Sequence, residues 1–113
     1  MTPQHEVFDG VLPDIPTARQ LHLLLDALVA ATGLHTISPV TISVRSPTWA
    51  ALVMIAESHI SAHGNDKRAW VDVFSCQPFD VLLVYRLLCD GLGGQWTHRA
   101  VPRAADGAQP PAE

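Results

Sequence analysis

Residues 50–76, AALVMIAESHISAHGNDKRAWVDVFSC, gather three hydroxyls, two imidazoles and a thiol near one another in the chain. Glu57-Ser58-His59-Ile60-Ser61-Ala62-His63 follows one apolar run, and a second apolar run ends at Cys76. Serine is a poor nucleophile unless a base or local strain activates it. One chemistry open to it uses the chain's own backbone. The Ser58 hydroxyl attacks the preceding carbonyl, that of Glu57, and the amide becomes an ester. Loss of the Ser58 α-proton eliminates that ester, and hydrolysis of the dehydroalanine leaves a pyruvoyl ketone at a new N-terminus. Such a ketone condenses with a primary amine and draws electrons from a breaking carbon–carboxylate bond, as pyridoxal phosphate does elsewhere.

Two ordered motifs carry a resemblance. Glu57-Ser58-His59-x-Ser61-x-His63, then Val71-Asp72-Val73-Phe74-Ser75-Cys76, resembles the small prokaryotic (class 1B) S-adenosylmethionine decarboxylases. That family shows E-S-H-x-[ST]-x-H followed by D-[LIV]-F-[ST]-C. Outside these motifs only the order of elements agrees. The resemblance implies self-cleavage between Glu57 and Ser58, with Ser58 becoming the pyruvoyl cofactor. It implies that His63 assists processing and that Cys76 returns a proton to the substrate carbon after carbon dioxide leaves. His59 and Ser61 take supporting roles. The implied substrate is a small molecule with a primary amine, in spermidine biosynthesis. The implied assembly is a homodimer of cleaved protomers with active sites near the interface.

Taken apart from the motifs, the same residues read more plainly. Ser58 is then an ordinary strand serine, His63 a hydrogen-bonded histidine, and Cys76 a small buried hydrophobe. Regular alternation along a strand also points Ser58 and His63 to opposite faces. For the two to meet, the chain must bend near Glu57-Ser58, or the new N-terminus must swing after cleavage. A bend at that bond is expected.

Departures from the family pattern fall on substrate recognition and processing. Where the family has Phe-x-Pro-x-Gly, this chain has Ser43-Val44-Arg45-Ser46-Pro47-Thr48-Trp49, so Trp49 is the candidate aromatic for adenine, out of register. The usual Ser-Gly, whose serine helps processing, is Ala50-Ala51, with Thr48 the nearby hydroxyl. T-W-P-E after the motif histidine is replaced by Gly64-Asn65-Asp66, leaving Asp66 either to bind ribose hydroxyls or an amine, or to be a solvated turn residue. Glu6 is either the acidic position of the family's first strand or a surface glutamate on an edge strand. The altered recognition end leaves two alternatives open. One is a relative that decarboxylates ornithine or arginine; the other is an unprocessed, non-catalytic homologue.

The whole chain is 113 residues, with formal charge −4 and no long basic run, which argues against nucleic acid. Two cysteines in separate contexts make neither a disulfide framework nor a zinc site, and no metal-ligand set stands out. No signal peptide or bilayer-length apolar run is present, so a cytoplasmic protein away from membranes is expected.

The elements that must position these groups follow from periodicity. A short strand lies around His5–Phe8. A helix starts near Pro16 or Thr17, capped by Thr17 with Gln20 or by Asp14, and carries Leu21, Leu24, Leu25, Leu28 and Val29 on one stripe to a stop at Gly33. His22 lies off that stripe. A strand spans 35–45 with Pro39 at an edge or bulge. The central strand spans 49–57, and Leu52 to Ala56 reads as buried on both faces, one of them against a partner subunit. Gly64 and Asn65 supply the positive φ of a polar turn over 64–68. The next strand spans 70–76. A helix from Pro78 to Gly91 and a strand over 95–101 complete the domain. The expected fold is α+β, a two-layer sandwich with an antiparallel sheet and two helices on one face. The expected organisation is one domain over 1–101 and a Pro/Ala-rich disordered tail over 102–113.

Overall fold

The computed structural model describes residues 3–102. The expected tail, from residue 103 onward, lies outside the described residues. The chain runs β1 (Gln4–Val11), α1 (Ala18–Thr32), β2 (Thr41–Arg45), β3 (Thr48–Ile55), β4 (Ser58–Asn65), β5 (Arg68–Ser75), α2 (Val81–Leu92) and β6 (Gln95–Ala100). The strands form one sheet in the order β2-β3-β4-β5-β1-β6, and every neighbouring pair is antiparallel. The two helices pack together over one face, giving the α+β sandwich that the periodicity predicts.

Helix α1 forms where local chemistry calls for it. Thr17 Oγ1 accepts from the Gln20 amide, and the Gln20 side chain accepts from the Thr17 amide, completing the expected capping box. Such a cap is worth about 1 kcal/mol. Leu21, Leu24, Leu25 and Leu28 are buried, each contributing about 2 kcal/mol by leaving water. Gly33, at φ 70, ends the helix. His22 is exposed and sits 3.1 Å from Asp26.

The sheet has one covered and one open face. Trp49, Ala51, Val53 and Ile55 of β3, Ser58, Ile60 and Ala62 of β4, and Val71, Val73 and Ser75 of β5 point under the helices. Their neighbours Leu52 and Met54, His59, Ser61 and His63, and Trp70, Asp72 and Phe74 point to the open side. The apolar run of β3 is therefore covered on one face only. Leu52 and Met54 are 44% and 48% exposed there, whereas Val44, 40% exposed, pairs with Trp49 and points to the helix side.

Several expected boundaries move. The strand expected over 35–45 shrinks to Thr41–Arg45, with an isolated bridge from Thr36 to Ile55. Along the end of β3 the Ile37 amide donates to the Met54 carbonyl, and Ser38 Oγ accepts from the Met54 amide. The central strand stops at Ile55, because Ala56 and Glu57 form a turn. Gly64 and Asn65 remain in β4, and Asp66 takes the positive φ of 56°. Gly64 is needed for another reason: it lies across from Trp49, whose indole fills the space a Cβ would occupy. β5 ends at Ser75, so Cys76 is not a member of its face. α2 begins after an Asp80 cap rather than at Pro78 and runs past Gly91 to Leu92. β1 is an interior strand between β5 and β6, so Glu6 is not on an edge.

Candidate active site

The bond between Glu57 and Ser58 lies in the tight connection of the β3–β4 hairpin. Ile55 pairs with Ser58, leaving Ala56 and Glu57 as the whole loop. Two-residue hairpin loops demand unusual backbone at the first central position. Here Ala56 supplies it at φ 44. A left-handed conformation on a residue with a Cβ stores roughly 1–2 kcal/mol. The neighbouring chain holds it there. The Ala56 amide donates to the His35 carbonyl at 3.0 Å, and the Ile37 amide to the Met54 carbonyl at 2.9 Å. The expected bend at this bond is present, and Glu57 is exposed at its tip.

Ser58 opens β4 on the covered face and is 5% exposed. Its Oγ accepts the backbone N–H of Cys76 at 2.7 Å. Pairing with β5 begins only one residue later, at His59 with Phe74, so residue 58 is ladder-bonded on the β3 side alone. A donated N–H stabilises a hydroxyl oxygen as its proton leaves. A buried serine, an oriented Oγ and a strained turn on its N-terminal side suit a ketone made from Ser58.

The segment after β5 is fastened at several points. Ser75 Oγ donates to the Gln77 carbonyl at 2.6 Å, and Gln77 Nε2 donates to the Thr32 carbonyl at the end of α1 at 2.9 Å. The Phe79 amide donates to Gln4 Oε1 at 2.9 Å. These bonds fix where Cys76, half-buried and in no disulfide, stands relative to Ser58. Gln4 and Gln77 have no role in the motif reading. Nothing local marks them, because Gln4 meets Phe79 and the Gln77 amide side chain meets Thr32 on another element.

His63 lies elsewhere. It is exposed on the open face, stacked on Trp70 with ring centroids 5.4 Å apart. Five strand positions from Ser58 span roughly 16 Å, and the two side chains leave opposite sides of the sheet. Ala50 pairs directly with His63. Thr48, the nearby hydroxyl, instead donates to the Arg45 carbonyl. Ser61 and His59 share the open face with His63.

The three substrate-binding candidates are scattered. Trp49 is 2% exposed under the helices, and its Nε1 donates to the Asp66 carbonyl at 3.2 Å. Asp66 itself is an exposed residue of the β4–β5 turn, at the opposite end of β4 from Ser58. Glu6 is buried on the covered face, with Oε1 3.0 Å from His98 Nε2 and Oε2 accepting from Gln4. His98 in turn stacks on Phe8.

The open face carries shallow depressions. One of about 340 Å³ lies between Val7, His63, Trp70, Asp72 and Arg99. Another of about 260 Å³ lies between Ser43, Ala50, Leu52, Ser61 and His63. His63 borders both. Among the described residues no group of three or more His, Cys, Asp or Glu could hold a metal ion. No helix among them is long and apolar enough to cross a membrane.

Compared with known proteins, residues 9–103 match the family model described as S-adenosylmethionine decarboxylase. No curated protein matches the chain.

Proposed function

The chain belongs to the S-adenosylmethionine decarboxylase family, and from that membership we propose a pyruvoyl-dependent decarboxylase of the small prokaryotic class that makes its own cofactor by cleavage between Glu57 and Ser58. The proposed substrate is S-adenosylmethionine, decarboxylated for spermidine synthesis. The observation that carries this reading is the Glu57–Ser58 bond in a two-residue turn, with Ala56 at φ 44 before it and Ser58 Oγ held by the Cys76 amide. Once formed, the ketone of residue 58 binds the substrate amine covalently and accepts electrons from the breaking carbon–carboxylate bond.

Within this reading the chain's groups divide the work. The Cys76 amide orients the Ser58 oxygen for attack on the Glu57 carbonyl. The Cys76 thiol returns a proton to the substrate carbon. His63 assists processing from the open face, which requires either that β4 lift at its start or that the imidazole come from a second copy. The exposed apolar pair Leu52 and Met54 supports a homodimer joined through the open face. Intact-mass analysis of purified protein tests the reading. Two fragments, the second beginning with a pyruvoyl group at residue 58, are expected. A lasting single species of 12.2 kDa overturns it.

A further inference from the structure

The open face holds a second cluster of titratable groups that self-cleavage does not use. Asp72 Oδ1 lies 2.6 Å from His5 Nε2 and 3.7 Å from His59 Nε2. The three residues come from β5, β1 and β4. Both rings pack on Phe74, with centroids 5.4 Å away for His5 and 5.7 Å for His59. His5 is largely buried, and its Nδ1 has no hydrogen-bond partner. A carboxylate shared between two imidazoles over an aromatic ring is more than a strand surface needs. His59 is also joined to residue 58 by a single peptide bond. With Nε2 turned toward Asp72, the remaining nitrogen of His59 is Nδ1, the one nearer the backbone.

We propose that Asp72 is a positioning residue, with His5 as its brace, and that it presents Nδ1 of His59 to the carbonyl of residue 58 as proton donor and acceptor during condensation with a primary amine. This rests on the pyruvoyl reading above. The balance closes within the site. The amine lone pair forms the new C–N bond, and His59 Nδ1 takes the first proton shed by the amine nitrogen and hands it to the ketone oxygen. Nδ1 carries the second amine proton to that oxygen in the same way as the C–O bond breaks. Both protons leave in the water, and the imidazole ends as it began. Side chains orienting a neighbouring imidazole in this way fix both its tautomer and its direction. The titratable and charged groups on the side of the sheet that Asp72 faces are His5 and Asp9 from β1, Arg45 from β2, His59 and His63 from β4, Arg68 from β5 and Arg99 from β6. Among the described residues only His5 and His59 come within ion-pair distance of its carboxylate.

The test compares purified wild type with Asp72→Asn, Asp72→Ala and His5→Gln. Each variant is expected to split at residue 58 as wild type does, by mass. Trapping of methylamine with cyanoborohydride is expected to slow on the order of tenfold in Asp72→Ala, with an altered pH profile. In turnover kcat falls while KM holds. Imidazole nitrogen NMR gives a readout independent of activity: in neutral wild type His59 is protonated at Nε2, and in Asp72→Ala it becomes a tautomer mixture. Unchanged trapping rates and an unchanged His59 tautomer in cleaved Asp72→Ala overturn the inference and leave the pyruvoyl reading standing. A wild type that never cleaves overturns both.

Discussion

Ser58 and His63 stand five residues apart on β4 and face opposite sides of the sheet. Lifting β4 to join them breaks backbone pairing with β3, and with β5 as well beyond residue 58. Supplying the imidazole from a second copy breaks none. His63→Ala is therefore expected to cleave at least tenfold more slowly. Mixing it with the uncleavable Ser58→Ala chain, which still carries His63, is expected to restore cleavage of the His63→Ala chain. Mass spectrometry of the mixture over time reads this directly.

The Cys76 backbone and side chain are assigned different tasks, and one substitution separates them. Cys76→Ala keeps the amide that donates to Ser58 Oγ. It is expected to split at a rate near wild type but to release carbon dioxide with impaired or misprotonated product. Fragment masses and product analysis in deuterated water check both halves. Normal turnover would remove the thiol from the mechanism.

Ala56 bears the strain beside the scissile bond. Ala56→Gly adopts the same backbone without the Cβ penalty. The precursor is expected to gain about 1 kcal/mol, and cleavage to slow by about fivefold if that strain is released in the cut. A time course of precursor loss measures it.

Gly64 and Trp49 meet on the covered face with no room for a methyl group. Gly64→Ala must displace the indole or the Arg68 backbone, and overpacking of this sort costs about 1–3 kcal/mol. The urea midpoint is expected to fall accordingly. Thr17→Ala, which only removes a helix cap, is expected to cost about 1 kcal/mol and serves as a scale.

Leu52 and Met54 stand exposed and apolar on the open face. The wild type is expected to sediment as a dimer and Leu52→Glu as a monomer. A wild-type monomer would remove the second-copy route for His63.

Legibility of the chain followed how local each signal was. Thr17, Gln20, the leucine stripe and Gly33 specify α1 from neighbouring residues alone, and each sits as expected. The β3–β4 turn gives no Gly, Asn or Pro to announce it. Its bend was expected from chemistry, but the alanine at positive φ is imposed by contacts with residues 35–37. The run from Leu52 to Ala56 looked doubly buried because Leu52 and Met54 are apolar whichever way they point. The motifs name Ser58, His63 and Cys76 as a group, yet only Ser58 and Cys76 are brought together. Which face each strand residue takes depends on register, and register is set across the sheet rather than along the chain. His5 and Asp72 meet for the same reason, 67 positions apart.

Strand order has one more consequence. A cut after Glu57 divides the polymer into a piece holding β1, α1, β2 and β3 and a piece holding β4, β5, α2 and β6. In the sheet these do not lie side by side, because β1 is threaded between β5 and β6. The two pieces are thus dovetailed: neither can be drawn away without tearing hydrogen bonds along both flanks of β1. A nicked molecule would migrate as one body under native conditions and come apart only in denaturant.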